Sequence, residues 1–274
     1  MNKKWLSVIP AAMILMTFSC KNNENNSIKK NGKNVDIEYS ESLISDISLL
    51  KNHPDSNGLR MKVALGMDSV GDYKNALIQM DSLIKRDSSN YAFYFTKARI
   101  SQDNQDTTQA INNYKKAIKI YPAPESILFL ANLLAERKDS SCLKMAKSVK
   151  AMRLSASDNA NCDFIAGVYY ARTKDSSNAL KNFNSALNLN YTLMPAYIEK
   201  GLVYFDNKDY SKALNTFKFA SQVDHLYADA YYYMARSYEM MGIKDSAVLR
   251  FKQTLSLDKS AVEAEDGLKR LNAQ

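Results

Sequence analysis

The chain has 274 residues, 46% of them apolar by type, and a formal charge of +8 at neutral pH. The excess sits at one end: Lys3, Lys4 and the lysines of 21–34 carry most of it, while residues 35–274 hold 31 basic against 28 acidic side chains. A near-balanced body with no basic stripe excludes a nucleic-acid binder, and three cysteines and two histidines exclude a disulfide-rich scaffold and a clustered metal centre.

At the start, Asn2-Lys3-Lys4 precedes an apolar run from Trp5 to Phe18 and then Ser19-Cys20. Such a run is too short to cross about 30 Å of hydrocarbon as a helix, so residues 1–19 read as a cleaved signal. Cysteine directly after a small residue resembles a bacterial lipoprotein signal. The resemblance implies that Cys20 becomes the acylated first residue of the mature chain, with palmitate among its lipids; ordinary signal cleavage is the alternative. Residues 21–34 are mostly Asn, Lys and Ser, with Glu24, Gly32 and Ile28 as the one aliphatic, which is too little apolar surface to fold, so residues 20–34 are expected to tether the body flexibly. By the sorting rule of that family, lysine after the cysteine implies the outer membrane, with the body facing the periplasm.

Residues 35–56 place Leu43, Ile44, Ile47 and Leu50 at helical spacing ahead of Pro54, as the second helix of a broken repeat. A period of 34 then begins. Ala76 to Ala110, Ala179 to Ala213 and Ala213 to Ala247 are each one period, which divides the chain into units at 57–90, 91–124, 125–159, 160–193, 194–227 and 228–261. In the first helix of each unit a small residue at the eighth position (Ala64, Ala98, Gly167, Gly201, Ala235) precedes a larger one three places on. In the second helix the alanine at position twenty is followed after four residues by Met80, Tyr114, Phe183, Phe217 or Phe251. Those spacings share one helical face, and Gly201 and Ala213 are expected to meet across it.

The unit at 125–159 breaks the pattern with Asn132 and Lys144 at its small positions. A two-residue shortening of its inner turn would bring Cys142, Ala146 and Val149 onto the packing face, with three extra residues absorbed near 155–159. Either a bend or a degenerate unit follows. Cys142 and Cys162 fall early in adjacent antiparallel helices, roughly 15 Å apart along the axis, so they read as buried small residues and not as a disulfide. Residues 262–274 set Leu268 and Leu271 among charges, as a capping helix.

This pattern, and the segments Gly71 to Leu77 and Asn207 to Leu214 in particular, resembles the tetratricopeptide repeat (TPR). The resemblance implies an all-α, right-handed superhelical solenoid of helix-turn-helix units with a C-terminal cap. It further implies a concave surface lined by the first helices, with the fifth and ninth positions of each unit pointing into it. Those positions are Met61 and Leu65, Phe95 and Arg99, Phe129 and Leu133, Phe164 and Val168, Ile198 and Leu202, and Tyr232 and Arg236, with Phe205 leaning the same way. The row reads as one largely apolar groove for a helical or extended peptide; the alternative for each side chain is packing between adjacent first helices. Family members that grip a C-terminal carboxylate use lysine and asparagine there, and this chain has neither.

No nucleophile motif, glycine-rich phosphate loop or metal spacing occurs, so no cofactor is expected. The sequence therefore points to a non-enzymatic, membrane-tethered adaptor that binds a protein or peptide in the cell envelope. An accessory of a secretion or motility apparatus is the second reading, and an envelope enzyme or carbohydrate binder the third.

Overall fold

The computed structural model describes residues 37–272; the expected signal, Cys20 and the tether lie outside the described residues. All regular structure among the described residues is helical. A lone helix α1 (Glu41–Asn52) precedes the hairpins α2 (Asn57–Ser69) with α3 (Tyr73–Arg86), and α4 (Tyr91–Asp103) with α5 (Thr107–Ile120). Next come α6 (Pro124–Glu136) with α7 (Ser141–Ala151), and α8 (Ala156–Arg172) with α9 (Ser176–Leu189). The hairpins α10 (Met194–Asp206) with α11 (Tyr210–Val223) and α12 (Ala228–Met240) with α13 (Lys244–Leu257) follow, and α14 (Val262–Arg270) ends the array. The chain divides into two compact units, one ending at Leu133 and one beginning at Leu134, inside α6. Within the first, α1 to α5 pack in sequence order; within the second, α7 to α14 do the same, and first helices also touch across hairpins, α8 with α10 and α10 with α12. Each unit is thus a stack of helix-turn-helix repeats.

The hairpin turn has a fixed chemistry. One residue takes a left-handed conformation after the first helix: Gly71 at φ 81°, Gln105 at 61°, Lys174 at 65°, Lys208 at 62° and Gly242 at 75°. In the first four of these turns the next residue is an aspartate, Asp72, Asp106, Asp175 or Asp209, whose carboxylate accepts the backbone N–H three residues on. That bond satisfies one of the orphan donors at the start of the second helix, so left-handed residue plus aspartate reverses the chain in three residues.

The periodic small and large residues form the core. Ala76, Ala110, Ala179, Ala213 and Ala247 are fully buried, as are Met80, Tyr114, Phe183, Phe217 and Phe251 four residues later. Burying each large side chain stabilises the array by about 1.5 to 3 kcal/mol. The partner of Gly201 differs from the expected Ala213: a Cβ there would press into the Phe217 ring, as one on Gly167 would lie 2.6 Å from the Phe183 ring. Glycine makes room for the aromatic of its own hairpin.

In α7 the buried face is Cys142, Ala146 and Val149, and Lys144 is exposed. The shift arises in two places. The turn bond that runs from Asp106 N to Ser101 O in the preceding hairpin here runs from Asp139 N to Leu134 O, one residue earlier in the repeat, and the first buried residue follows Asp139 by three places instead of four. The compensating residues extend α8, which begins at Ala156 with a capping box between Ser155 and Asp158. Both Cys142 and Cys162 are buried free thiols. In α1, Leu43 and Leu50 are buried but Ile44 is 55% exposed, against its expected place on the packing face. At the far end, Ala264 and Gly267 of α14 are buried and Leu268 and Leu271 pack against the Phe251 cluster, with the charges of the helix outward.

Candidate protein-interaction face

In the N-terminal unit the first-helix face carries a connected aromatic surface. Phe95 of α4 lies edge-on to Phe129 of α6 with ring centroids 5.8 Å apart. Both rest on the buried Tyr114, at 5.9 and 5.7 Å. Phe95 and Phe129 are half-buried, and Leu65 of α2 is 48% exposed. Met61 packs against the core of α1 to α4, and Leu133 is buried. The exposed Arg99 holds its guanidinium 6.0 Å from the Phe129 ring centre.

Beside this surface two carboxylates occupy the last turns of first helices, Asp68 in α2 and Asp103 in α4. Burial, with the Asp103 charge adding to it and Arg99 opposing, pushes the Asp68 carboxyl up to about 6. Burial raises Asp103 too, again against Arg99. The Tyr73 hydroxyl rises through burial and the two acids together. Asp68 Oδ1 is buried and has no hydrogen-bond partner. Carboxylates at the negative ends of helices are doubly disfavoured.

The C-terminal unit departs from the expected groove. Phe164 and Val168 are 2% and 0% exposed, and Ile198 is buried. Phe164 leans on Phe183 with centroids 5.8 Å apart, because the closely packed α8 and α9 enclose it. These three residues, with Leu133 of the N-terminal unit, are core and offer a partner nothing. Leu202 and Phe205 are half-buried against the Ile198–Phe217 cluster, with Phe205 edge-on to Tyr210 at 5.1 Å. Tyr232 lies edge-on to Tyr233 and tilted against Phe251. Arg236 pairs with Glu239 at 3.1 Å, and Glu239 also receives two hydrogen bonds from Arg270, each 3.0 Å.

Outside the fifth and ninth positions lies a part-buried ion network centred on the buried Glu199. Arg172 of α8 donates to both oxygens of Glu136 in α6, at 2.7 and 3.0 Å, and to both oxygens of Glu199 in α10, at 2.8 Å each. Burial opposes the Arg172 charge, but the hydrogen-bonded carboxylates outweigh it and hold the guanidinium protonated. A signal existed: Ala196, Glu199 and Val203 share one helical face, and Ala196 and Val203 are core. The Cys142 and Cys162 thiols, both pushed up to about 11 by burial, are protonated at neutral pH and poor nucleophiles. Among the described residues no group of three or more His, Cys, Asp or Glu side chains is placed to hold a metal ion, and no helix is long and apolar enough to cross a membrane.

Comparison with known proteins bears on the fold. Residues 91–124 and 229–258 match family models described as tetratricopeptide repeat. A tetratricopeptide repeat protein from Parabacteroides merdae superposes with a TM-score of 0.72 at 14% identity, covering 84% of this chain and 91% of that one. PilW, described as a widely conserved type IV pilus biogenesis factor, gives 0.62 at 17% identity over 77% and 98% of the two chains. PilF from Pseudomonas aeruginosa gives 0.55 at 15% identity over 80% and 99%. No curated protein sequence matches the chain significantly. The chain carries tetratricopeptide repeats, and its fold is the helical solenoid that such repeats build.

Proposed function

We propose that the protein is a non-enzymatic scaffold that binds a protein or peptide on the first-helix face of its repeats, held to the outer membrane by a lipid on Cys20 and facing the periplasm. The observation that carries the binding reading is the half-open aromatic surface of Phe95 and Phe129, with exposed Leu65 on a neighbouring first helix. A partner gains burial from side chains that are open in the free array. The tetratricopeptide repeats at 91–124 and 229–258 support the scaffold reading, since such repeats generally bind protein or peptide partners. The membrane part of the reading rests on the apolar run from Trp5 to Phe18 ahead of Ser19-Cys20.

A photoreactive residue placed at Leu65 or Phe129 in the native cell is expected to crosslink a defined partner, while one at the exposed Asp245 of α13 does not. Cys20→Ala is expected to abolish fatty-acid labelling and release the processed chain from the membrane fraction. No crosslink at either position removes the scaffold reading; unchanged fractionation with no labelling of the parent removes the anchor. A second reading, an accessory of a pilus-type apparatus, draws on the fold likeness to PilW. Identification of the crosslinked partner as a pilus component would select it.

A further inference from the structure

The near balance of charge along the body hides a division by helix. In the C-terminal unit the second helices α7, α9, α11 and α13 carry nine basic side chains, eight of them lysine, against Asp245 as the one acid. The first helices α8, α10 and α12 carry three basic against six acidic. The first helices form one layer, with α10 touching both α8 and α12, and α9, α11 and α13 each pack across two neighbours of that layer, α14 serving as its last member. The second helices therefore own the opposite surface, and a basic stripe is present there against the expectation from composition. We propose that this second-helix surface lies on an anionic lipid membrane, with lysine ammonium groups against headgroup phosphates and Phe219 and Leu249 dipping into the apolar boundary beneath them.

Three observations choose lipid among anionic partners. The first is that the charge is not cancelled locally. Lys144, Lys147 and Lys181 are exposed and join no ion pair among the described residues, whereas Lys150 answers Asp163 and Lys212 answers Asp209. The acids at the margins, Asp175, Asp209, Asp224 and Asp258, accept backbone N–H groups of their own turns. The second is apolar area among the lysines. Phe219 is 52% and Leu249 59% exposed; Phe219 stands two turns after Lys212, and Leu249 one turn before Lys252. An interfacial surface needs both parts, charge for the headgroups and apolar side chains for the acyl boundary. The third is the preference for lysine. Its compact charge suits a smeared anionic layer, while the arginine fork serves paired recognition of single carboxylates and phosphates. An acyl chain on Cys20 would by itself hold the membrane only marginally, and a polybasic surface is the kind of second signal that makes such attachment stable. The inference does not depend on that acyl chain.

The test uses the chain from residue 20 onward with Cys20→Ala, which keeps every described helix and removes the apolar run and the acylation site that would bind vesicles by themselves. It is expected to float with vesicles of phosphatidylcholine and phosphatidylglycerol mixed two to one, to ignore pure phosphatidylcholine, and to be released by high salt. K144Q/K147Q/K181Q should weaken binding about tenfold or more, because each lysine at an anionic surface contributes about fivefold. K138Q/K174Q/K208Q removes the same charge from exposed hairpin turns and should weaken it clearly less. F219S/L249S should cost about tenfold with melting unchanged, since both side chains are open in the free protein. Without residues 1–19, F219W carries the single tryptophan of the chain, and its emission should shift to the blue on mixed vesicles. Equal binding to both kinds of vesicle, equal losses in the two triple variants, or unmoved F219W emission overturns the proposal. Capture by heparin without flotation assigns the surface to an acidic polymer and overturns it too. The anchor is judged separately, because a high-salt wash strips an electrostatic attachment and leaves an acyl one. The scaffold reading is judged by crosslinks from Leu65 and Phe129 in the N-terminal unit, so each can fail without the others.

Discussion

Arg172 carries a role that neither repeat position nor composition announces. Its guanidinium is shared between Glu136 and Glu199, and the Glu199 side chain is only 3% exposed. Withdrawing such charges from water costs several kcal/mol per ion, and only complete hydrogen bonding offsets that cost. The four bonds at 2.7 to 3.0 Å supply it. Removing one member is therefore far worse than removing all three. Arg172→Met is expected to lower stability by about 3 to 5 kcal/mol, since it strands two carboxylates. The triple variant Glu136→Gln, Arg172→Met, Glu199→Leu should recover most of that loss in urea melts followed by circular dichroism. A single variant as stable as the parent would mean that water already reaches Glu199.

At the scale of the element, the hairpin turn decides where each helix pair folds back. Lys208 holds a φ of 62°, a conformation in which a side chain costs roughly 1 kcal/mol that glycine avoids. Lys208→Gly is expected to raise the stability of the α10–α11 hairpin by up to about 1 kcal/mol, with Gly71 and Gly242 as the natural precedents. A lower melting temperature would show that the lysine side chain makes a contact worth more than the strain. These turns were legible in sequence because their chemistry is local: Gly71-Asp72 and Lys208-Asp209 sit at the same point of the period. The core was legible for the same reason, and even the phase shift of α7 followed from the positions of Cys142, Ala146 and Val149. The candidate face was legible only in part. Position along the repeat tells which way a residue leans, but enclosure depends on how closely the neighbouring helices pack. Phe129 stays half open while Phe164, its equivalent one repeat later, is sealed against Phe183. Asp68 and Asp103 escaped notice because the burial that raises them comes from packing and not from position along the repeat.

For the molecule as a whole, helices pack mainly on their sequence neighbours, so stability is close to a sum of repeat and interface contributions. A lesion should then be felt most where it is made and less with every repeat away from it. Gly201 is the place to test this in the C-terminal unit, because a side chain there must displace the fully buried Phe217 ring. Gly201→Leu is expected to overpack the α10–α11 contact at a cost of about 1 to 3 kcal/mol or more. Native-state hydrogen exchange should show the largest loss of protection in α10 and α11, a smaller one in α9 and α12, which pack directly on them, and least in α14. The direction of this gradient follows from the contacts: α10 touches α8 and α12 as well as α9 and α11, whereas α14 packs on α13 and bonds to α12 through Arg270 and Glu239. Equal loss in every helix from α7 to α14 would make the unit one cooperative block. Unchanged exchange throughout would mean that Phe217 can swing away at no cost, and the glycine would then have no packing reason to be there.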